Sequence, residues 1–201
     1  MDEIRDCPGP DPDPRPPAMP MPPGACDTHA HVFDAARYPY QATRAYTPPD
    51  NGVDRLLALH DALGLSRGVV VQASVHGTDN RATLDAAAAH PGRLRAIVSV
   101  TEDVTEAEIL RMHAQGARGI RVNLVDRGGM PFAAWMPVRW LGDAPLLACR
   151  AVVQSEEAWR SWPPGSAMRR PLIGHVVCQA ARGGASIPGS RLLPAGDGLF
   201  G

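Results

Sequence analysis

The sequence predicts an α/β protein organised around a parallel sheet, and three observations lead to that class. From residue 53 onward, short apolar runs alternate with stretches whose apolar residues recur at helical spacing. The runs, Val69-Val70-Val71 most clearly, are apolar on both faces, as in strands covered on two sides. Polar residues collect where such runs end, which favours a closed barrel over an open sheet, because barrels carry their sites at strand C-termini.

Size and charge narrow the field before any element is placed. A chain of 201 residues with 44% hydrophobic composition suits one domain with a real core. Twenty Lys and Arg against 21 Asp and Glu give a net charge of −1, so no electrostatic ground exists for nucleic acid or an anionic membrane as partner. A small molecule is the expected ligand. The cysteines Cys7, Cys26, Cys149 and Cys178 have no CxxC spacing, and no charged leader precedes an apolar signal segment. They read as thiols of a soluble, cytoplasmic protein, and no apolar run approaches the roughly 18 residues of a membrane span.

Residues 1 to about 24 carry nine prolines between Pro8 and Pro23, which remove backbone donors and favour polyproline II, so a disordered tail is expected there. The domain proper is expected over 25–201. It opens with Cys26-Asp27-Thr28-His29-Ala30-His31-Val32-Phe33, read as the first strand. Alternation sends His29 and His31 to one face, where two imidazoles can meet one metal ion or one substrate group. With seven His in the chain, one such pair arises by chance about one time in four, so its weight comes from its place at the opening of the first strand.

An irregular stretch, 34–51, follows and holds Tyr38, Tyr40 and Tyr46, which can either close over a ligand or pack the loop onto the domain. Asp50 or Asn51 is placed to cap a helix over about Val53–Leu63 that Gly64 ends. Arg67–Ser74 is a strand ending in polar Gln72 and Ser74. Asp79 or Asn80 then caps a helix over about Arg81–His90, stopped by Pro91-Gly92. Leu94–Val100 is a third strand, and Thr105-x-x-Glu108 opens, as a capping box, a helix to about Gln115. In the fourth strand, Gly119–Leu124, Ile120, Val122 and Leu124 face one way while Arg121 and Asn123 face the other. A guanidinium on the barrel's inner side needs an anion or carboxylate, so Arg121 is either a ligand-binding group or half of a buried ion pair. Arg127 lies just past the strand's end. Beyond Met130 the pattern weakens. Leu146–Gln154 and Pro171–Val177 still read as strands five and six, whereas Trp135–Leu141 and Glu156–Trp162 make poor helices and 180–201 is rich in Gly, Pro and Ser.

CDTHAHVF, AYTPPD, RGVVVQASVHGTDN, HPGRLRAIVSV and GARGIRVNLVDR, in that order, resemble the amidohydrolase family related to 2-pyrone-4,6-dicarboxylate lactonase, the TIM-barrel metal-dependent hydrolases. The resemblance runs from Cys26 to about Phe132. Further on, Ile173-Gly174-His175 and Gln179-Ala180-Ala181-Arg182-Gly183 look like the family's sixth-strand histidine and the loop after it, while about 135–170 hardly matches. The resemblance implies a (β/α)8 TIM-barrel, here incomplete with about six β/α units, and a site at the strand C-termini. It implies catalytic or metal-ligating roles for His29, His31 and His175, and carboxylate binding by Tyr46, Ser74, Arg121 and Arg127. The cofactor stays open between a divalent metal such as zinc and none.

The implied activity is hydrolysis of a carboxylated lactone such as 2-pyrone-4,6-dicarboxylate, with a small anionic substrate as partner. Two alternatives stand beside it: a zinc-dependent decarboxylase or amide hydrolase on the same fold, and a non-catalytic truncated remnant. The family's late aspartate, which activates the hydrolytic water, has no counterpart expected here, since Asp197 sits in a Gly-rich stretch. An incomplete barrel would also leave strand edges that invite self-association.

Overall fold

The computed structural model describes residues 4–101, 103–123 and 148–152. Two short strands, β1 (Arg5–Asp6) and, from the loop after the histidine strand, β3 (Tyr46–Thr47), pair in parallel. The leader expected to be free is thus tied at Arg5–Asp6, and the Cys7 amide adds a bond of 3.0 Å to the Thr47 carbonyl.

The main sheet is five-stranded, parallel, and ordered β2 (Cys26–Ala30), β4 (Arg67–Val71), β5 (Leu94–Val98), β6 (Ala117–Asn123) and β7 (Ala148–Val152). Helix α1 (Val53–Leu63) follows β3, α2 (Arg81–Ala89) joins β4 to β5, and α3 (Glu106–Ala114) joins β5 to β6. Strands one to five of the sequence reading all appear, and the sixth, Pro171–Val177, lies outside the described residues. Among the described residues no helix is long and apolar enough to cross a membrane.

The two faces of the sheet do different work. Val70, Leu94, Ala96, Val98, Ala117 and Ile120 pack with Leu56 and Leu57 of α1, Leu84 and Ala87 of α2, and Ile109 and Met112 of α3 into the main core. Val69, Val71 and Ile97 form a small cluster on the opposite, inner face, with Cys26 packed against it.

Register along β2 is interrupted. Asp27 pairs with Gly68 but Ala30 pairs with Val70, so three steps on β2 answer two on β4. One extra residue is a β-bulge, and a bulge reverses which face the following side chains take. Cys26 before it faces inward and Asp27 outward, while Ala30 and Val32 after it join the outer core. His29 and His31 therefore face inward. A regular strand carrying Asp27 outward would have sent both histidines toward the helices.

The same device recurs on β6. Ala96 pairs with Ala117 but Ile97 with Gly119, which places a bulge at Arg118. Ala117 and Ile120 lie in the outer core. Arg121 accordingly turns to the inner face.

Helix ends follow the sequence only in part. Gly64 closes α1 in the left-handed conformation at φ 74°, and Thr105 with Glu108 forms the reciprocal capping box of α3. Neither Asp50 nor Asn51 caps α1, whose N-cap is Gly52 with no side-chain bond. Asp50 instead accepts the Ala35 amide at 2.9 Å, and the Asn51 amide and carbonyl bridge to Phe33. Asn80 is the N-cap of α2 by position, yet its amide group is spent elsewhere: it bonds the Ser99 carbonyl at 2.6 Å and accepts the Ser99 amide at 2.8 Å. It thereby joins the loops that leave β4 and β5. Asp79 accepts the Arg81 amide at 3.3 Å and both arms of its guanidinium.

Candidate functional site

The inner face at the C-terminal ends of β2 and β4 brings three expected residues together. His29 and His31 stand edge to face with ring centroids 5.0 Å apart. The His31 Nδ1 lies 2.7 Å from the Val71 carbonyl oxygen. A carbonyl accepts only, so that nitrogen carries the proton and Nε2 keeps its lone pair. Arg121 is 7% exposed, and its Nη1 donates to the Gln72 carbonyl. Burial opposes protonation of His31 most strongly, and the charges of His29, Arg121 and His76 oppose it further. Together they push its pKa down to about 4.

The residue whose backbone carbonyl receives Arg121 is itself anchored by its side-chain amide. Gln72, fully buried, donates from Nε2 to the Gly77 and Asp79 carbonyls at 3.0 and 2.9 Å and accepts Thr83 Oγ1 at 2.7 Å. These bonds fix the turn 74–79, so the carbonyl that receives Arg121 sits on a rigid support. Ser74 is buried in the 3-10 turn Ser74–His76 that leaves β4. Tyr46 is half-buried on β3, within electrostatic reach of Tyr40. Arg127 and His175 lie outside the described residues.

Tyr38 and Tyr40 follow the packing reading given above. Tyr38 is buried and donates to Asp85 Oδ2 at 2.7 Å, and Tyr40 donates to the Pro48 carbonyl at 3.3 Å. Both pack the loop onto the domain. Burial pushes the Tyr40 hydroxyl up to about 12, so it stays neutral.

Three residues of this neighbourhood escaped the sequence reading. His76 is 1% exposed, stacks on Phe33 with centroids 6.2 Å apart, and meets Tyr40 edge-on at 5.2 Å. Phe33 in turn lies 5.9 Å from His31, so an aromatic layer backs the histidine pair. Burial holds the pKa of His76 below that of free imidazole. The other two are Asp27 and His60, whose Oδ2 and Nε2 are 3.1 Å apart. His60 carried a legible signal, since it continues the Leu56-Leu57 face one turn on. His76 carried none.

A divalent ion fits the pair as far as the described residues go. The bond from His31 Nδ1 to a backbone carbonyl orients Nε2 as metal-ligating histidines are usually oriented. No group of three His, Cys, Asp or Glu converges among the described residues, which leaves two imidazoles as the donors that can be described.

Parallel strands joined by helices, with polar side chains gathered at the strand ends, define a class, the TIM-barrel-like α/β proteins. The amidohydrolase family model matches residues 26–149, and the chain belongs to that family. It is 43% identical over 112 residues to a 2-pyrone-4,6-dicarboxylate hydrolase of Comamonas testosteroni, covering 55% of this chain and 37% of the relative. It is 48% identical over 102 residues to a 4-sulfomuconolactone hydrolase of Hydrogenophaga intermedia, covering 50% and 34%. The matched part thus spans little more than a third of either relative. An apo crystal structure of an Agrobacterium tumefaciens protein superposes with a TM-score of 0.66 at 23% identity, over 73% of this chain and 52% of that one, a likeness of fold.

Proposed function

We propose that the chain carries the first half of a site that hydrolyses a carboxylated cyclic ester, with 2-pyrone-4,6-dicarboxylate as the model substrate. The observation that carries this reading is the pairing of a neutral imidazole, its Nε2 lone pair set by the Val71 carbonyl, with a buried guanidinium on the same face. A lactone with carboxylate arms needs both: a fixed cation for the carboxylate, and a polarising group at the ester carbonyl. Arg121 takes the carboxylate, and Ser74, Tyr46 and Arg127 are proposed as further contacts to it. His29, His31 and His175 would hold a divalent ion, which when bound supplies a Lewis acid for the carbonyl. The relatives' names give the substrate class, since both are hydrolases of acidic lactones.

Ring opening removes the pyrone's conjugated ultraviolet absorbance, which gives the assay. Loss of that absorbance with added zinc, abolished in His31→Asn, is the expected result. If the folded protein leaves the pyrone and sulfomuconolactone intact while a full-length relative opens them, the reading is wrong for this chain.

A further inference from the structure

We infer that Asp27 and His60 form a positioning pair that holds the β2 bulge and thereby keeps His29 and His31 on the inner face. Neither side chain faces the inner side of the sheet where the His29 and His31 rings stand. Asp27 faces the helix layer, where its Oδ2 meets His60 Nε2 at 3.1 Å, and its Oδ1 accepts the His29 backbone amide at 3.0 Å. That amide belongs to the bulge itself, between the Asp27–Gly68 and Ala30–Val70 pairings. An amide displaced from ladder pairing by a bulge needs another acceptor, and Asp27 provides it.

The rest of the fold is shaped around this bridge. His60, 1% exposed near the C-terminal end of α1, occupies the space above Gly68, the residue paired with Asp27. A Cβ at position 68 would lie 2.5 Å from His60 Cε1, so the ring reaches Asp27 only because residue 68 is glycine. Removing the bulge with Asp27 still opposite Gly68 would turn both histidines into the helix layer. The bond from the His29 amide to Asp27 Oδ1 spans the bulge, and the packing of Val32 and Ala30 in the outer core favours the same register, while His60 fixes the Asp27 carboxyl that accepts that bond.

The inference rests on the proposed function only in calling His29 and His31 site residues, and its test does not require turnover. The readout is the backbone amide and ring proton resonances of His29 and His31 in the full chain, with folding checked by circular dichroism. Asp27→Ala removes both acceptors, so the His29 amide should shift upfield and both rings should leave their wild-type positions. Asp27→Asn should keep the wild-type spectrum. Its carbonyl serves the His29 amide, and its amino group donates to Nε2 of the other His60 tautomer, whose Nδ1 has no hydrogen-bond partner to lose. If Asp27→Ala does not fold, His60→Leu reads the other end of the bridge and should shift the same resonances. Unchanged His29 and His31 resonances in a folded Asp27→Ala or His60→Leu overturn the inference. So does an Asp27→Asn spectrum displaced as far as that of Asp27→Ala, because charge and not the bridge would then be responsible. A lactone left intact beside resonances that follow this pattern would count against the proposed function alone.

Discussion

Alanine at position 68 puts a methyl group into space that His60 already fills. The new Cβ would lie 2.5 Å from His60 Cε1, 3.1 Å from Leu94 Cδ2 and 3.3 Å from His60 Nδ1. Carbon atoms rest at about 3.5–4.0 Å, so the ring must retreat by about 1 Å. Leu94 is fully buried and His60 nearly so, and neither can swing into solvent. The displacement falls on α1 and on the bond to Asp27. Overpacking of this kind costs about 1–3 kcal/mol, which in a chain of this size lowers Tm by about 2–12 °C. Thermal unfolding followed by circular dichroism measures it. Gly92→Ala is the control, since a Cβ there meets no atom within 4 Å, and its Tm should stay within about 1 °C of the wild type or rise slightly. Placing Gly68→Ala in a His60→Ala background should recover most of the loss, because the obstructing ring is gone. A Gly68→Ala protein that melts with the wild type, or a loss undiminished in the His60→Ala background, would refute the steric argument.

Other outcomes follow from the same geometry. Thr105→Ala removes one half of the capping box at α3 and should cost about 1 kcal/mol, measured by urea unfolding, whereas Thr105→Ser should cost less than half of that. Arg121→Met, titrated with pyrone dicarboxylate by calorimetry, should weaken binding by about 10–150-fold, the equivalent of one charge-assisted contact of about 1.5–3 kcal/mol. Equal affinity in the two proteins would remove Arg121 from the carboxylate site. In metal-free protein, His31 titrates near 4 when folded against 6.5 for free imidazole. The unfolded chain takes up that proton first, so the contribution is whole above about pH 6.5, is lost as pH falls toward 4, and levels off below. His31→Phe should flatten that part of the stability curve, a change on the order of 3 kcal/mol across the window. A wild-type curve already flat from pH 6.5 to 4 would contradict the buried neutral imidazole.

Local pattern was enough to place β4, β5, β6, β7 and the three helices. Apolar runs, the Gly64 stop and the Thr105–Glu108 box act within a few residues of themselves, and such signals survive in a sequence read alone. His29, His31 and Arg121 were legible as candidates, by residue type and by place at strand ends. The face they take was decided elsewhere. Alternation predicts only relative orientation along one regular strand, and both β2 and β6 change phase at a bulge that exists through pairing with a neighbouring strand. Asn80 shows the same limit: its sequence position marks a helix cap, yet the approach of Ser99 from 19 residues away claims its side chain. The sequence by itself determined a parallel α/β fold and named the chemical groups of the candidate site. Tertiary structure alone decided that Asp27 meets His60, that Gly68 leaves room for that ring, and that the histidines turn inward, because each depends on the register between segments 33 to 41 residues apart.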